Sequence, residues 1–322
     1  MNITLLGCGR WGSFIAWYMD SIKHNNVMVW GRENDPFLDN LIKTRKNDYV
    51  EFPESIELTH DLNKALNHSE IIIISISSQG VRDLMSHVNK IPSFKDKTFV
   101  LCMKGIEDST GKRLSEVLIE SGVSADKIAV WVGPGHIQEF TRHVPNCMII
   151  DSNNKNLIDY LVNNFSSDLI RFYKGNDIIG SEIGAAAKNV MGIGAGMLDG
   201  LGYSVLKGAL MARGAHEVSR LIKAKGGNCL SAYGLCHLGD YEATLFSPHS
   251  NNRKFGEMFV KGEPFTKLAE GVATTNAMLK MGKELNIDLP ITQAIYNILN
   301  RVSTPEEILK QLFSRENKHE FE

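Results

Sequence analysis

A strand-like run at residues 3–6 leads without a break into Gly7-x-Gly9-x-x-Gly12, and a helix-like run follows at residues 13–20. Strand, glycine turn and helix in this order constrain the chain more than any other feature. They open a βαβ unit whose turn can hold a pyrophosphate. Gly7 permits the tight turn, Gly9 lets a phosphate approach the backbone, and Gly12 lets the helix pack close to the strand. The N–H groups of the first helical turn lack partners within the helix and face the phosphates. Arg10 and Trp11 lie inside the fingerprint and join the three glycines as candidate cofactor-binding residues. A second strand-like run at residues 26–30 follows at the distance a dinucleotide site requires.

The first half of the chain keeps this alternation. Further strand-like runs lie at residues 71–75, 99–103, 128–132 and 146–151, with helical patterns between them, for example at 81–88 and 114–120. Alternation predicts an α/β, Rossmann-type doubly wound parallel sheet, and such sheets bind ligands at the carboxyl ends of their strands. Those ends supply more candidates. Arg32 follows the second strand, where an NAD-selective site often has an acid; a guanidinium suits a 2′-phosphate, so NADP is expected beside NAD. Ser78 follows the third strand-like run, Lys104 the next, and Gly133-Pro134-Gly135-His136 the one after. His136 is a candidate ligand or acid on the same grounds.

Near Gly175 the alternation stops. Residues 177–202 read as one long helix of small and apolar residues with Lys188-Asn189 in its middle. A glycine inside a helix costs about 0.8–1.0 kcal/mol relative to alanine, so many of them imply close approach by another backbone or a ligand. Lysine in such surroundings is costly to bury without a partner and can serve as proton donor and acceptor near neutral pH. Helical spacing continues at 209–223, 255–260, 272–285 and 291–300. The expected division is a dinucleotide-binding domain over residues 1–178 and an all-α substrate and catalytic domain over 179–322.

Composition narrows the function. With 322 residues, 43% hydrophobic and 22% charged, the chain suits an ordinary globular protein of two domains. A net charge of −2 gives no basic surplus for nucleic acid. Neither a membrane span nor a signal peptide is expected. Five scattered cysteines without a Cys-x-x-Cys exclude a disulfide framework or zinc site as the expectation and fit reduced thiols in the cytoplasm; no metal is expected.

The segment Gly184-Ala185-Ala186-Ala187-Lys188-Asn189, with Gly194-Ala195-Gly196 and Asp199-Gly200-Leu201-Gly202, resembles the signature of NAD(P)-dependent sn-glycerol-3-phosphate dehydrogenases. Other pieces stand in that family's order: Trp30-Gly31-Arg32, Lys104-Gly105-Ile106-Glu107, Gly133-Pro134, Arg213-Gly214, Leu238-Gly239-Asp240 with Thr244, Asn252-Arg253-Lys254-Phe255-Gly256, Glu270-Gly271-Val272 and Leu289-Pro290-Ile291-Thr292. The resemblance covers essentially the whole chain. It implies an oxidoreductase that reduces dihydroxyacetone phosphate to sn-glycerol 3-phosphate with NADH or NADPH, reversibly, feeding glycerophospholipid synthesis. It implies Lys188 as the group protonating the C2 oxygen, Lys104 as a second lysine holding substrate, and Asp240 and Thr244 orienting Lys188. It places Glu270 near the cofactor, and Asn189, Asn251, Asn252, Arg253, Gly133 and Gly135 near the substrate. It also implies a homodimer acting on a small-molecule phosphate.

Departures from the pattern cluster on the substrate side. Ser250-Asn251-Asn252 replaces Ser-Arg-Asn, so the arginine that would clamp a phosphate is missing and Arg253 is the nearest. Gly135-His136 follows Gly133-Pro134 where Ser-Phe is usual, and residues 203–207 lack an expected asparagine. These changes keep open a dehydrogenase of another polyol phosphate or hydroxy acid, and a cofactor-binding sensor without turnover.

Overall fold

The computed structural model describes residues 1–317, 319 and 320. The chain forms two compact units: Met1–Met103 with Leu114–Ile178, and Lys104–Arg113 with Ile179–Glu322. The change of unit at 178/179 lies where the strand–helix alternation ends. The segment Lys104–Arg113, which the sequence reading kept in the first domain, packs with the second unit.

The first unit is built on eight strands: β1 (Asn2–Leu6), β2 (Asn26–Trp30), β3 (Glu57–Thr59), β4 (Ile71–Ile74), β5 (Thr98–Leu101), β6 (Ile128–Val132), β7 (Asn146–Ser152) and β8 (Ile170–Lys174), in the order β3-β2-β1-β4-β5-β6-β7-β8. Helices α1 (Arg10–Trp17), α2 (Pro36–Thr44), α3 (Leu62–His68), α4 (Val81–Val88), α5 (Leu114–Glu120), α6 (Ile137–Phe140) and α7 (Lys155–Phe165) connect them. Central strands read as unbroken apolar runs because helices cover both faces; all four isoleucines of β4 are buried. The edge strands β3 and β8 escaped the sequence reading. β3 has three residues, and β8 alternates buried Ile170 and Phe172 with exposed positions.

The doubly wound sheet is as expected, with one strand reversed. β7 runs antiparallel to β6, so the sheet is mainly rather than wholly parallel. A parallel return needs a crossover of a dozen or more residues, usually through a helix that spans the sheet. Between β6 and β7 the only helix is α6, with four residues, too short to carry the chain back across the sheet.

Local signals set the helix ends. Asp35 caps α2 ahead of Pro36, Asn154 caps α7, and Gly7 takes φ +115° while donating its N–H to the Trp30 carbonyl. Gly12 lies so close to the Gly7 carbonyl that a Cβ there would collide with it.

The second unit is helical: α8 (Ile178–Gly200), α9 (Lys207–Ala224), α10 (Asn251–Lys261), α11 (Gly271–Glu284), α12 (Pro290–Leu299) and α13 (Pro305–Phe313). Its core gathers Ile183, Val190, Met191 and Ile193 of α8 with Val218, Leu221 and Ile222 of α9 and Met278 and Met281 of α11. Each such side chain contributes about 1.5–3 kcal/mol on burial. Among the described residues no helix is long and apolar enough to cross a membrane.

Candidate active site

Each unit carries a separate constellation. On the first unit, β1 delivers Gly7, Gly9 and Gly12 to the start of α1. A Cβ at Gly9 would meet nothing within 4 Å, so this side of the loop is open. Gly9 is the N-cap of α1 and offers no side-chain oxygen, which leaves the N–H groups of the first turn available to an anion. Arg10 Nη2 donates to Gln138 Oε1 at 2.8 Å, and its guanidinium lies 5.1 Å from the centre of the Tyr49 ring. Trp11 packs against Phe14 and Phe140. Arg32 is exposed after β2 and lines a hollow of about 270 Å³ with residues 33–37. Ser78 is buried ahead of α4. An open glycine cradle, bare helix N–H groups and a polar hollow bearing Arg32 at the end of the next strand fit a nicotinamide dinucleotide.

Gly133 and Gly135 also lie on the first unit, and packing accounts for both. Gly133 takes φ +128° against the Met148 backbone, and a Cβ on Gly135 would come within 2.6 Å of the Phe140 ring. His136 begins α6 as its N-cap residue.

On the second unit, residues far apart in sequence meet at Lys188. Lys104 Nζ and Lys188 Nζ each lie 2.7 Å from the same oxygen, Asp240 Oδ2. Lys188 also donates to Thr244 Oγ1 at 2.8 Å, and Asn189 Nδ2 donates to the Lys104 carbonyl at 2.8 Å. Lys188 is 7% exposed and Asp240 fully buried. The other carboxylate oxygen, Asp240 Oδ1, has no hydrogen-bond partner among the described residues. Burial pushes the Lys188 ammonium down to about 7; Asp240 pulls the value up, and the positive Lys104 pushes it down again. The group therefore exchanges a proton near neutrality, as a general acid–base must.

Glycines of α8 let this cluster assemble. A Cβ on Gly184 would press on Cys236 Sγ at 3.0 Å and His237 Cβ at 3.1 Å, and one on Gly192 would press on Thr244 Cγ2 at 2.8 Å. Farther along, Gly196 faces the Arg253 carbonyl and Gly200 the Glu257 backbone on α10. The close approach implied by the glycine-rich helix is thus made by the protein's own chain.

The remaining sequence candidates are placed less simply. Asn252 Oδ1 accepts from the Gly271 N–H at 3.0 Å and ties α10 to α11, while Glu270 stands half-buried at the N-cap of α11. Asn251 begins α10, its Nδ2 3.5 Å from the Leu268 carbonyl. Arg253 is committed elsewhere: it donates to Asp199 Oδ2 at 2.7 Å, to Glu257 Oε2 at 3.2 Å and to the Ser247 carbonyl at 3.2 Å. Lys207 Nζ meets the same Asp199 oxygen at 2.6 Å. Burial raises the Asp199 carboxyl, but Lys207, Ser204 and Arg253 together hold it below its ordinary value. Sequence reasoning quoted Asp199 only within the family signature and gave no site role to it, to Lys207, or to His237 and Tyr241, which flank Asp240. Their types carry no distinctive spacing; His237 and Tyr241 are marked only by their burial beside the lysine cluster, and Asp199 and Lys207 only by their ion pair.

A dinucleotide cradle on a mainly parallel sheet, with a buried lysine on a helical unit, defines an NAD(P)-linked dehydrogenase. Comparison with known proteins narrows the class. Residues 2–158 match the family described as NAD-dependent glycerol-3-phosphate dehydrogenase N-terminus, and residues 177–310 match its C-terminus. The chain is 34% identical to a glycerol-3-phosphate dehydrogenase [NAD(P)+] of Thermoanaerobacter, with 99% of each chain covered. It is 35% identical to one from Prosthecochloris aestuarii, over 99% of this chain and all of that one. The crystal structure of glycerol-3-phosphate dehydrogenase from Coxiella burnetii superposes with a TM-score of 0.88 at 26% identity, covering 98% of this chain and 99% of that one. The chain belongs to the NAD-dependent glycerol-3-phosphate dehydrogenase family.

Proposed function

We propose that the protein reduces dihydroxyacetone phosphate to sn-glycerol 3-phosphate with NADH or NADPH, reversibly, and so supplies glycerophospholipid synthesis. The observation that carries this reading is Lys188 held between Asp240 and Thr244 with its proton affinity brought down to about 7. When bound, nicotinamide supplies the hydride to the ketone carbon. Negative charge then develops on the substrate oxygen, and the Lys188 ammonium stabilises and protonates it; the neutral amine takes that proton back in the reverse direction. Lys104 adds a second positive charge and holds substrate. Asp240 keeps both lysines in place, and Thr244 orients Lys188. In the first unit Gly7, Gly9, Gly12, Arg10, Trp11 and Ser78 hold the dinucleotide, with Arg32 meeting a 2′-phosphate where one is present; Glu270 lies near it. Asn189, Asn251 and Asn252 serve the substrate side. The free cysteines fit a reducing compartment, and we place the enzyme in the cytoplasm as a homodimer.

Arg253 is drawn away to Asp199 and does not replace the missing phosphate arginine, which favours a second reading, an NAD(P)-dependent dehydrogenase of another polyol phosphate or hydroxy acid. A substrate panel with both reduced cofactors decides between the two. Dihydroxyacetone phosphate should be the best ketone by a wide margin; a clear preference for another ketone would select the second reading.

A further inference from the structure

One buried titratable pair beside the lysine cluster has no place in the reaction above. His237 and Tyr241 are both fully buried. His237 Nδ1 lies 2.8 Å from the Gly184 carbonyl, and its Nε2 lies 2.6 Å from the Tyr241 hydroxyl. Burial holds the imidazole down at about 4, so it is neutral in any working range. A carbonyl can only accept, so the single ring proton sits on Nδ1 and Nε2 accepts from Tyr241. The His237 end of the pair reaches α8, and the Tyr241 end reaches α9. Gly184 stands four residues before Lys188, so its carbonyl is the helical acceptor for the Lys188 N–H. The Tyr241 hydroxyl lies near Gly214, where a Cβ would come within 3.3 Å of it and 2.7 Å of Met191 Sδ.

The same two residues carry the groups that face Lys188. The His237 carbonyl accepts from the Asp240 N–H at 3.0 Å, and the Tyr241 carbonyl accepts from the Thr244 N–H at 3.1 Å. Asp240 and Thr244 therefore hang from His237 and Tyr241, each three residues on. We propose that His237 and Tyr241 form a neutral hydrogen-bonded brace, locking the turn that bears Asp240 and Thr244 to the helix that bears Lys188. They are positioning residues for proton transfer. The charged groups around the brace are Lys188 on α8, Asp240 on the turn itself and Glu217 on α9, with Tyr233 also facing Tyr241. This inference rests on Lys188 being the proton-transfer group.

The test measures ketone reduction by the full chain against pH. Tyr241→Phe removes one oxygen and keeps the ring, so the fold is retained; His237→Ala removes the brace, and His237→Asn keeps a side-chain N–H able to reach the Gly184 carbonyl. Loosening Asp240 removes its upward pull on Lys188. The inflection in kcat/KM should therefore move down by about half a unit or more in Tyr241→Phe and His237→Ala. We expect kcat to fall about tenfold with substrate KM nearly unchanged, and His237→Asn to recover much of both effects. An inflection that stays in place or moves up, with activity lost only in step with melting temperature, would overturn the brace. A wild-type profile without an inflection near neutrality, or turnover by Lys188→Ala, would instead overturn the lysine reading.

Discussion

The two glycine-rich stretches, the loop at residues 7–12 and helix α8, look alike in sequence and do different work. In the loop, Gly9 faces open space on its Cβ side. Along α8, Gly184, Gly192, Gly196 and Gly200 each face a segment of the same chain within contact distance. Gly7 and Gly12 also pack against backbone, so it is Gly9 alone that leaves room for a ligand, whereas these α8 glycines leave room for the protein. That contrast separates a binding surface from a packing surface where composition alone does not.

The contrast can be broken by substitution. The largest effect belongs to the residue that packing delivers rather than to any glycine. Lys188→Ala should lower the turnover number by about 10³-fold or more, the scale of general acid–base catalysis combined with charge stabilisation. Steady-state rates at saturating cofactor check it, and substantial residual turnover would remove Lys188 from the mechanism. Next comes Gly196→Ala. Its methyl group would run into the Arg253 carbonyl, a backbone atom that cannot rotate away. Destabilisation of about 3 kcal/mol is expected from forced overpacking, read as a lowered midpoint in urea.

Arg32→Asp should weaken NADPH about ten- to a hundredfold more than NADH, since it exchanges a phosphate-binding cation for a repelling anion. Equal weakening of both cofactors would remove Arg32 from 2′-phosphate recognition. Gly9→Ala sharpens the comparison from the other side. Thermal stability should change little, because the new methyl group meets nothing, while cofactor affinity falls several-fold by crowding the pyrophosphate. Loss of stability without loss of affinity would make the loop a packing element like α8.

The last effect needs no substitution and is graded with pH. Burial brings the Lys188 ammonium down to about 7, and in the proposed reaction it carries its proton to reduce the ketone. The reduction rate should therefore fall as pH rises through about 7, tenfold per unit well above it, and the reverse oxidation should rise through the same window. Initial rates in both directions across this range check the sign.

Much of the molecule was legible from residue order. The strand-to-glycine-turn entry, the central apolar strands and the long helix around Lys188 follow from local pattern, because strand and helix periods are properties of the chain itself. The edge strands β3 and β8 were missed because short, half-exposed runs carry little pattern. The reversed β7 was missed because a strand's direction depends on the length of its connection, and the strand's own residues do not record it.

The sequence by itself determined the class of fold and singled out the glycine loop and Lys188 as the proposed cofactor and proton-transfer sites. Each is written in residue type and short-range spacing. The tertiary structure alone decided that Lys104 and Lys188 share one carboxylate oxygen, that Arg253 is held by Asp199, and that His237 and Tyr241 link the Asp240 turn to α8. Proton affinity and hydrogen-bond partnership depend on what surrounds a group in space, and those neighbours come from distant parts of the chain.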